Sequence, residues 1–94
     1  MRLEGKVIIV TGAAAGLGRQ YAIRFAKEGA KLTIADVQNL EKTTELCRSE
    51  GADVLALQVD VSAEEAMLDM AKQTHERYGR IDGLLNNAGM MRGL

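Results

Sequence analysis

The sequence predicts an α/β protein: a doubly wound parallel sheet with helices on its faces, carried here in incomplete form as about four strands and three helices. Three observations point there. Short apolar runs rich in β-branched residues alternate with longer stretches whose apolar residues recur at three- and four-residue steps. Glycines punctuate the junctions, and proline is absent. Regular strand–helix alternation calls for parallel strands joined by right-handed crossovers, because only that hand packs the helix back on the sheet.

The first element, Lys6 to Thr11 (KVIIVT), has the composition of a strand buried on both faces. Gly12, Gly16 and Gly18 follow it, and then a helix with an expected inner stripe of Leu17, Tyr21, Ala22, Phe25 and Ala26. Arg19, Arg24, Lys27 and Glu28 lie off that stripe, and Gly29 stops the helix. Lys31 to Ala35 forms a second strand that ends at Asp36. Asn39 caps a helix over 40–50 with Leu40, Thr43, Thr44 and Cys47 inward, ended by Gly51. Val54 to Val59 is the third strand. Ser62 with Glu65 three residues on is a capping-box pattern and starts the third helix there. Its stripe is Met67, Met70, Ala71, Thr74 and Tyr78, and Gly79 closes it. Ile81 to Asn86 is the fourth strand, although Gly83 interrupts its apolar run. No linker or internal boundary divides the chain, so residues 1–94 read as one partial domain.

Composition excludes several function classes. A net charge of −1, with acids and bases interspersed, offers nucleic acid or an anionic membrane no electrostatic attraction. No apolar run reaches the roughly 18 residues of a membrane span, and Met1 to Lys6 lacks the apolar core of a secretory signal. Cys47 is the lone cysteine and has no partner within the chain for a disulfide, which suits a reducing compartment. A cytoplasmic protein without nucleic-acid or membrane partners is expected. His75 falls on the polar side of its helix, and no metal-ligand set is present.

Chemistry concentrates in Thr11-Gly12-Ala13-Ala14-Ala15-Gly16-Leu17-Gly18, between the first strand and the first helix. Glycines cluster in any turn, so a ligand-free loop is the competing explanation. The position after a buried strand and before an amphipathic helix favours a dinucleotide site of the Rossmann type. Gly12 permits the tight turn, Gly16 lets a pyrophosphate approach the backbone, and Gly18 lets helix and sheet pack closely. The freed amides of the helix N-terminus point at the phosphates, the helix dipole adds to the attraction, and Ala14 and Leu17 of the loop count among the cofactor-binding residues. No Gly-Lys-Ser/Thr ending follows, which argues against a nucleoside-triphosphate loop.

The spacing Gly-x-x-x-Gly-x-Gly resembles the signature of the short-chain dehydrogenases/reductases. Three further stretches match that family in order: Asp36, then Asp60-Val61, then Asn86-Asn87-Ala88-Gly89. The resemblance covers the whole chain. It implies a nicotinamide cofactor and an alcohol or carbonyl substrate, with a homo-oligomer when the domain is complete. Asp36 at the end of strand two is placed to accept hydrogen bonds from the adenosine ribose and to repel a 2′-phosphate. Relatives that prefer NADP carry a basic residue where this sequence has Ala15 or Val37, so the resemblance implies NAD. A solvated loop acid is the plainer account of Asp36. By the same resemblance Asp60 and Val61 border the adenine, although Asp60 serves equally well as a turn residue. The amides of the Asn-Asn-Ala-Gly run tie strands together, and the backbone of Asn87, Ala88 and Gly89 passes near the cofactor riboses.

The family's Tyr-x-x-x-Lys pair has no counterpart in these 94 residues. Tyr21 is followed four positions on by Phe25 and Tyr78 by Asp82, so no catalytic residue is assigned. Three accounts stay open: part of an NAD-dependent oxidoreductase, a non-catalytic nucleotide-binding module, or an interaction module docking through its sheet edge. The resemblance also implies a strand order of three, two, one, four. That order would leave Ile81, Leu84 and Leu85 beside an unpaired edge.

Overall fold

The computed structural model describes residues 2–87. Its seven elements are β1 (Val7–Thr11), α1 (Gly16–Lys27), β2 (Lys31–Asp36), α2 (Glu41–Ser49), β3 (Val54–Gln58), α3 (Glu64–Tyr78) and β4 (Gly83–Asn86). The four strands form one parallel sheet in the order β3-β2-β1-β4. Chain order reverses at β1, because β2 lies on one side of it and β4 on the other. The carboxyl ends of the central strands are level: Thr11 pairs with Ala35 and with Asn86. In such a sheet the crevice at the reversal point, outside the strands' carboxyl ends, is where ligands bind.

Helices cover both faces. α1 and α2 share a core with one side of the sheet, in which Ala22, Ala26, Leu40 and Cys47 meet Val10, Leu32, Ile34 and Val54. α3 covers the other side, with Met70 against Ile9 and Ala35 and with Met67, Leu57, Val59 and Val61 around them. Neighbours Ile9 and Val10 thus enter opposite cores, the two-sided burial that the continuous apolar run of β1 requires.

Four local expectations are corrected. On α1, Leu17 is 60% exposed and Tyr21 is 38% exposed, whereas Gly18, Ala22 and Ala26 are buried. The inner line of the helix is its small residues, because α1 approaches the sheet too closely for large ones. Each helical residue turns about 100°, so the line through Gly18 carries Leu17 and Tyr21 outward. Tyr21 lies over Phe25 with ring centroids 6.4 Å apart. The capping box of α3 does not form. The Asp60 carboxylate accepts from the Ser62 N–H at 2.9 Å, which holds Ser62 outside the helix, and Ala63 becomes the N-cap without a side-chain bond. Glu64 and Glu65 in the first turn favour that end through the helix dipole instead. Asn39 accepts from the Glu41 N–H at 2.7 Å but stands one residue before the flanking Leu40. β4 starts at Gly83, two residues later than expected; Asp82 before it donates its N–H to Val7 O at 2.8 Å, and its carboxylate accepts from Val7 N–H at 2.8 Å and from the Arg80 guanidinium.

A polar clamp fastens α3 at the amino-terminal end of the sheet. The Tyr78 hydroxyl donates to Leu32 O at 3.1 Å, and Arg77 pairs with Asp53 at 2.7 Å. Thr33 and Thr74 share a buried hydrogen bond of 2.8 Å between β2 and α3.

Candidate functional site

The glycine loop leaves β1 at the reversal point and enters α1 at Gly16. Gly12 (φ +65°) and Gly16 (φ +57°) hold left-handed backbone that costs any other residue free energy. Gly18 is required for a different reason. A Cβ there would lie 1.9 Å from the Gly12 carbonyl oxygen and 2.9 Å from the Asn87 amide nitrogen. The first turn of α1 therefore sits directly on the strand end, as expected of this glycine. At Gly16 an added Cβ meets no heavy atom within 4 Å, so this side of the loop opens outward. Ala15, the N-cap of α1, makes no side-chain capping bond, and the first turn holds no acid. Amide donors thus face an open, uncrowded surface, an arrangement that fits an anionic group such as a pyrophosphate.

Three side chains from outside hold the loop. Asp36, at the end of β2, accepts from the Ala14 N–H at 2.9 Å with one oxygen and from the Gln38 N–H at 3.0 Å with the other. It is half-buried and bonded to the loop, which removes the description of it as a merely solvated acid. Thr43 of α2 donates to Ala13 O at 2.8 Å. Arg19 donates through Nε to the Thr43 hydroxyl at 3.0 Å and through Nη2 to Ala14 O. Sequence patterning leaves Arg19 off the inner stripe of α1 and puts Thr43 on the inner stripe of α2. Their shared role carries no sequence signal, because it arises only when α2 docks beside α1.

On the β4 side, Thr11 donates to the Asn86 side-chain oxygen at 2.8 Å, and Asn87 donates to Gly12 O at 3.2 Å. Both asparagines therefore tie β4 to the end of β1. Asn87 also shares the Gly12 carbonyl with the contact that excludes a Cβ at Gly18. Ala88, Gly89, Met90 and Met91 lie outside the described residues. Val37 is 59% exposed beside Asp36, and its carbonyl accepts from the Gln58 side chain at 3.1 Å. Asp60 is exposed and forms the turn bond to Ser62 described above, while Val61 packs under α3. A cleft of about 420 Å³ between α2 and the edge strand β3, lined by residues including Thr44, Arg48 and Gln58, lies beside this crevice and includes no glycine-loop residue. Among the described residues no cluster of His, Cys, Asp and Glu is fit to hold a metal ion, and no helix is long and apolar enough to cross a membrane.

Residues 6–94 match the sequence profile of a family described as short chain dehydrogenase. Levodione reductase of Leifsonia aquatica is 44% identical over 93 residues, which is 95% of this chain and 35% of that protein. The crystal structure of a short chain dehydrogenase from Mycobacterium paratuberculosis bound to NAD superposes with a TM-score of 0.89 at 29% identity, over 95% of this chain and 38% of that one. Carveol dehydrogenase from Mycobacterium avium, in complex with NAD, gives a TM-score of 0.88 at 32% identity, over 94% and 37% of the respective chains. The chain spans 26% to 38% of the length of the curated relatives it matches.

Proposed function

The chain belongs to the short-chain dehydrogenase family, and on that premise we propose that it is the cofactor-binding part of an NAD-dependent oxidoreductase acting on an alcohol or carbonyl substrate. One observation carries the cofactor assignment: Asp36 reaches the end of β2 and bonds to the glycine loop at Ala14. A carboxylate fixed there has lone pairs left for ribose hydroxyls and repels a 2′-phosphate, with uncharged Ala15 and Val37 on either side. The NAD-bound relatives above support the same choice.

In this proposal Gly16, Leu17 and Gly18 receive the pyrophosphate by backbone approach, and Gly12 and Ala14, whose N–H goes to Asp36, shape the loop beneath it. Asp36 and Val37 border the adenosine ribose, Asp60 and Val61 the adenine, and Asn87, Ala88 and Gly89 the riboses. NAD, when bound, supplies hydride acceptance and its reduced form hydride donation. The residues of this chain bind and orient it; we place the proton-transferring groups outside these 94 residues, which contain no Tyr-x-x-x-Lys. A cytoplasmic location accords with the unpaired, buried Cys47, and a homo-oligomer is the assembly we expect. Calorimetric titration of the full-length protein with NAD and NADP tests the reading. Tighter binding of NAD is expected; equal or tighter binding of NADP overturns it.

A further inference from the structure

We propose that Arg19 and Thr43 are positioning residues for the cofactor loop, a fork and hydroxyl that fix two consecutive carbonyls and link α2 to the phosphate-facing backbone. The inference rests on the cofactor reading above and goes beyond it, because neither residue belongs to the glycine signature.

Three observations carry it. Thr43, fully buried in α2, gives its one hydroxyl proton to Ala13 O and accepts Arg19 Nε on the same oxygen. Arg19 gives a second arm of the guanidinium to Ala14 O. Asp36 takes the Ala14 N–H from the opposite side. The peptide units of Ala13 and Ala14 are thus fastened by β2, α1 and α2 together. With those carbonyls tied on the α2 side, the loop cannot rotate them toward the surface where the Gly16 backbone lies open, and a carbonyl on that surface would repel a phosphate. Only a planar fork reaches Thr43 and Ala14 at once; an ammonium supplies the charge without the geometry. Arg19 is incompletely buried and belongs to neither apolar core, so replacing it leaves the cores intact.

The test uses the full-length protein, with NAD as ligand. Arg19→Ala is expected to raise the Kd and KM for NAD by about tenfold or more while kcat at saturating NAD stays near that of the unsubstituted protein and the variant still melts cooperatively. Arg19→Lys should behave like Arg19→Ala, and millimolar ethylguanidinium should restore affinity to Arg19→Ala alone. Thr43→Ser keeps the hydroxyl and should keep affinity, whereas Thr43→Val should lose it. If Arg19→Lys binds NAD normally, charge rather than the fork is at work and the proposal falls. Unchanged NAD affinity in a folded Arg19→Ala overturns it as well. If the unsubstituted protein binds no NAD, the cofactor reading itself fails, an outcome separate from either.

Discussion

Asp36 does two things with one carboxylate, and substitutions separate them. Asp36→Asn retains an oxygen for the Ala14 N–H but loses the charge that repels a 2′-phosphate. Asp36→Ala loses both. Combined with Val37→Arg, either change should move the kcat/KM ratio toward NADP by about tenfold or more, and the Asn version should keep the higher absolute affinity. Steady-state kinetics with both cofactors checks this, and a ratio that stays put removes Asp36 as the ribose ligand. The glycines divide in a similar way. Gly18→Ala forces a Cβ to within 1.9 Å of backbone, beyond ordinary overpacking, so a stability loss of about 3 kcal/mol or more is expected in urea denaturation. Gly16→Val meets no protein atom but strains a φ of +57° and fills the open side of the loop. NAD affinity should fall by about tenfold or more, read by calorimetry on folded protein.

At the scale of elements, the clamp on α3 gives stability a pH dependence. Burial, then the neighbouring Asp53 carboxylate, pushes the Tyr78 hydroxyl from 10.0 up to about 12. The folded state therefore favours the protonated phenol. Its contribution is complete below pH 10.0 and is lost as pH rises toward about 12. Tyr78→Phe should flatten that decline, at a cost near neutral pH of about 1 kcal/mol for the lost bond to Leu32 O. Urea denaturation on both sides of pH 10.0 measures it; an unchanged alkaline decline in Tyr78→Phe would place the dependence elsewhere. Asp53 moves the other way: its hydrogen bond from Arg77 lowers its pKa, so its contribution is present above the unfolded value and fades as pH falls. Because that pair is solvent-exposed, its contribution is small.

For the molecule as a whole, the open edge of the sheet decides behaviour. Among the described residues β4 is an edge strand with no second strand beside it, its Leu84 is 49% exposed, and Ile81 just before it is 40% exposed. An unpaired parallel edge next to apolar side chains is a template for another strand, and a domain of this size has little stability in reserve. The 94-residue polypeptide by itself is expected to self-associate and to show no dehydrogenase turnover. Sedimentation and NADH absorbance check both; a monodisperse monomer that melts cooperatively counts against the first, and turnover against the second.

The alternation of strands and helices and the inner stripe of α2 are legible in the sequence, because hydrophobic period and glycine spacing encode them directly; the strand order came only from the family resemblance. Gly18 and Asp36 were legible for the same reason: each sits at a fixed offset from a strand end. What the sequence misplaced depends on distances between elements. The inner face of α1 runs through Gly18, Ala22 and Ala26, so the two alanines face inward as expected, whereas close approach at Gly18 turns Leu17 and Tyr21 outward. Ser62 failed as a cap because Asp60 claimed its amide first. Arg19, Thr43 and Ala14 became partners only when α1, α2 and β2 packed around one loop. Period and spacing are local and travel with the chain; which polar groups find each other is settled by tertiary packing, which leaves each buried donor only the acceptors within reach.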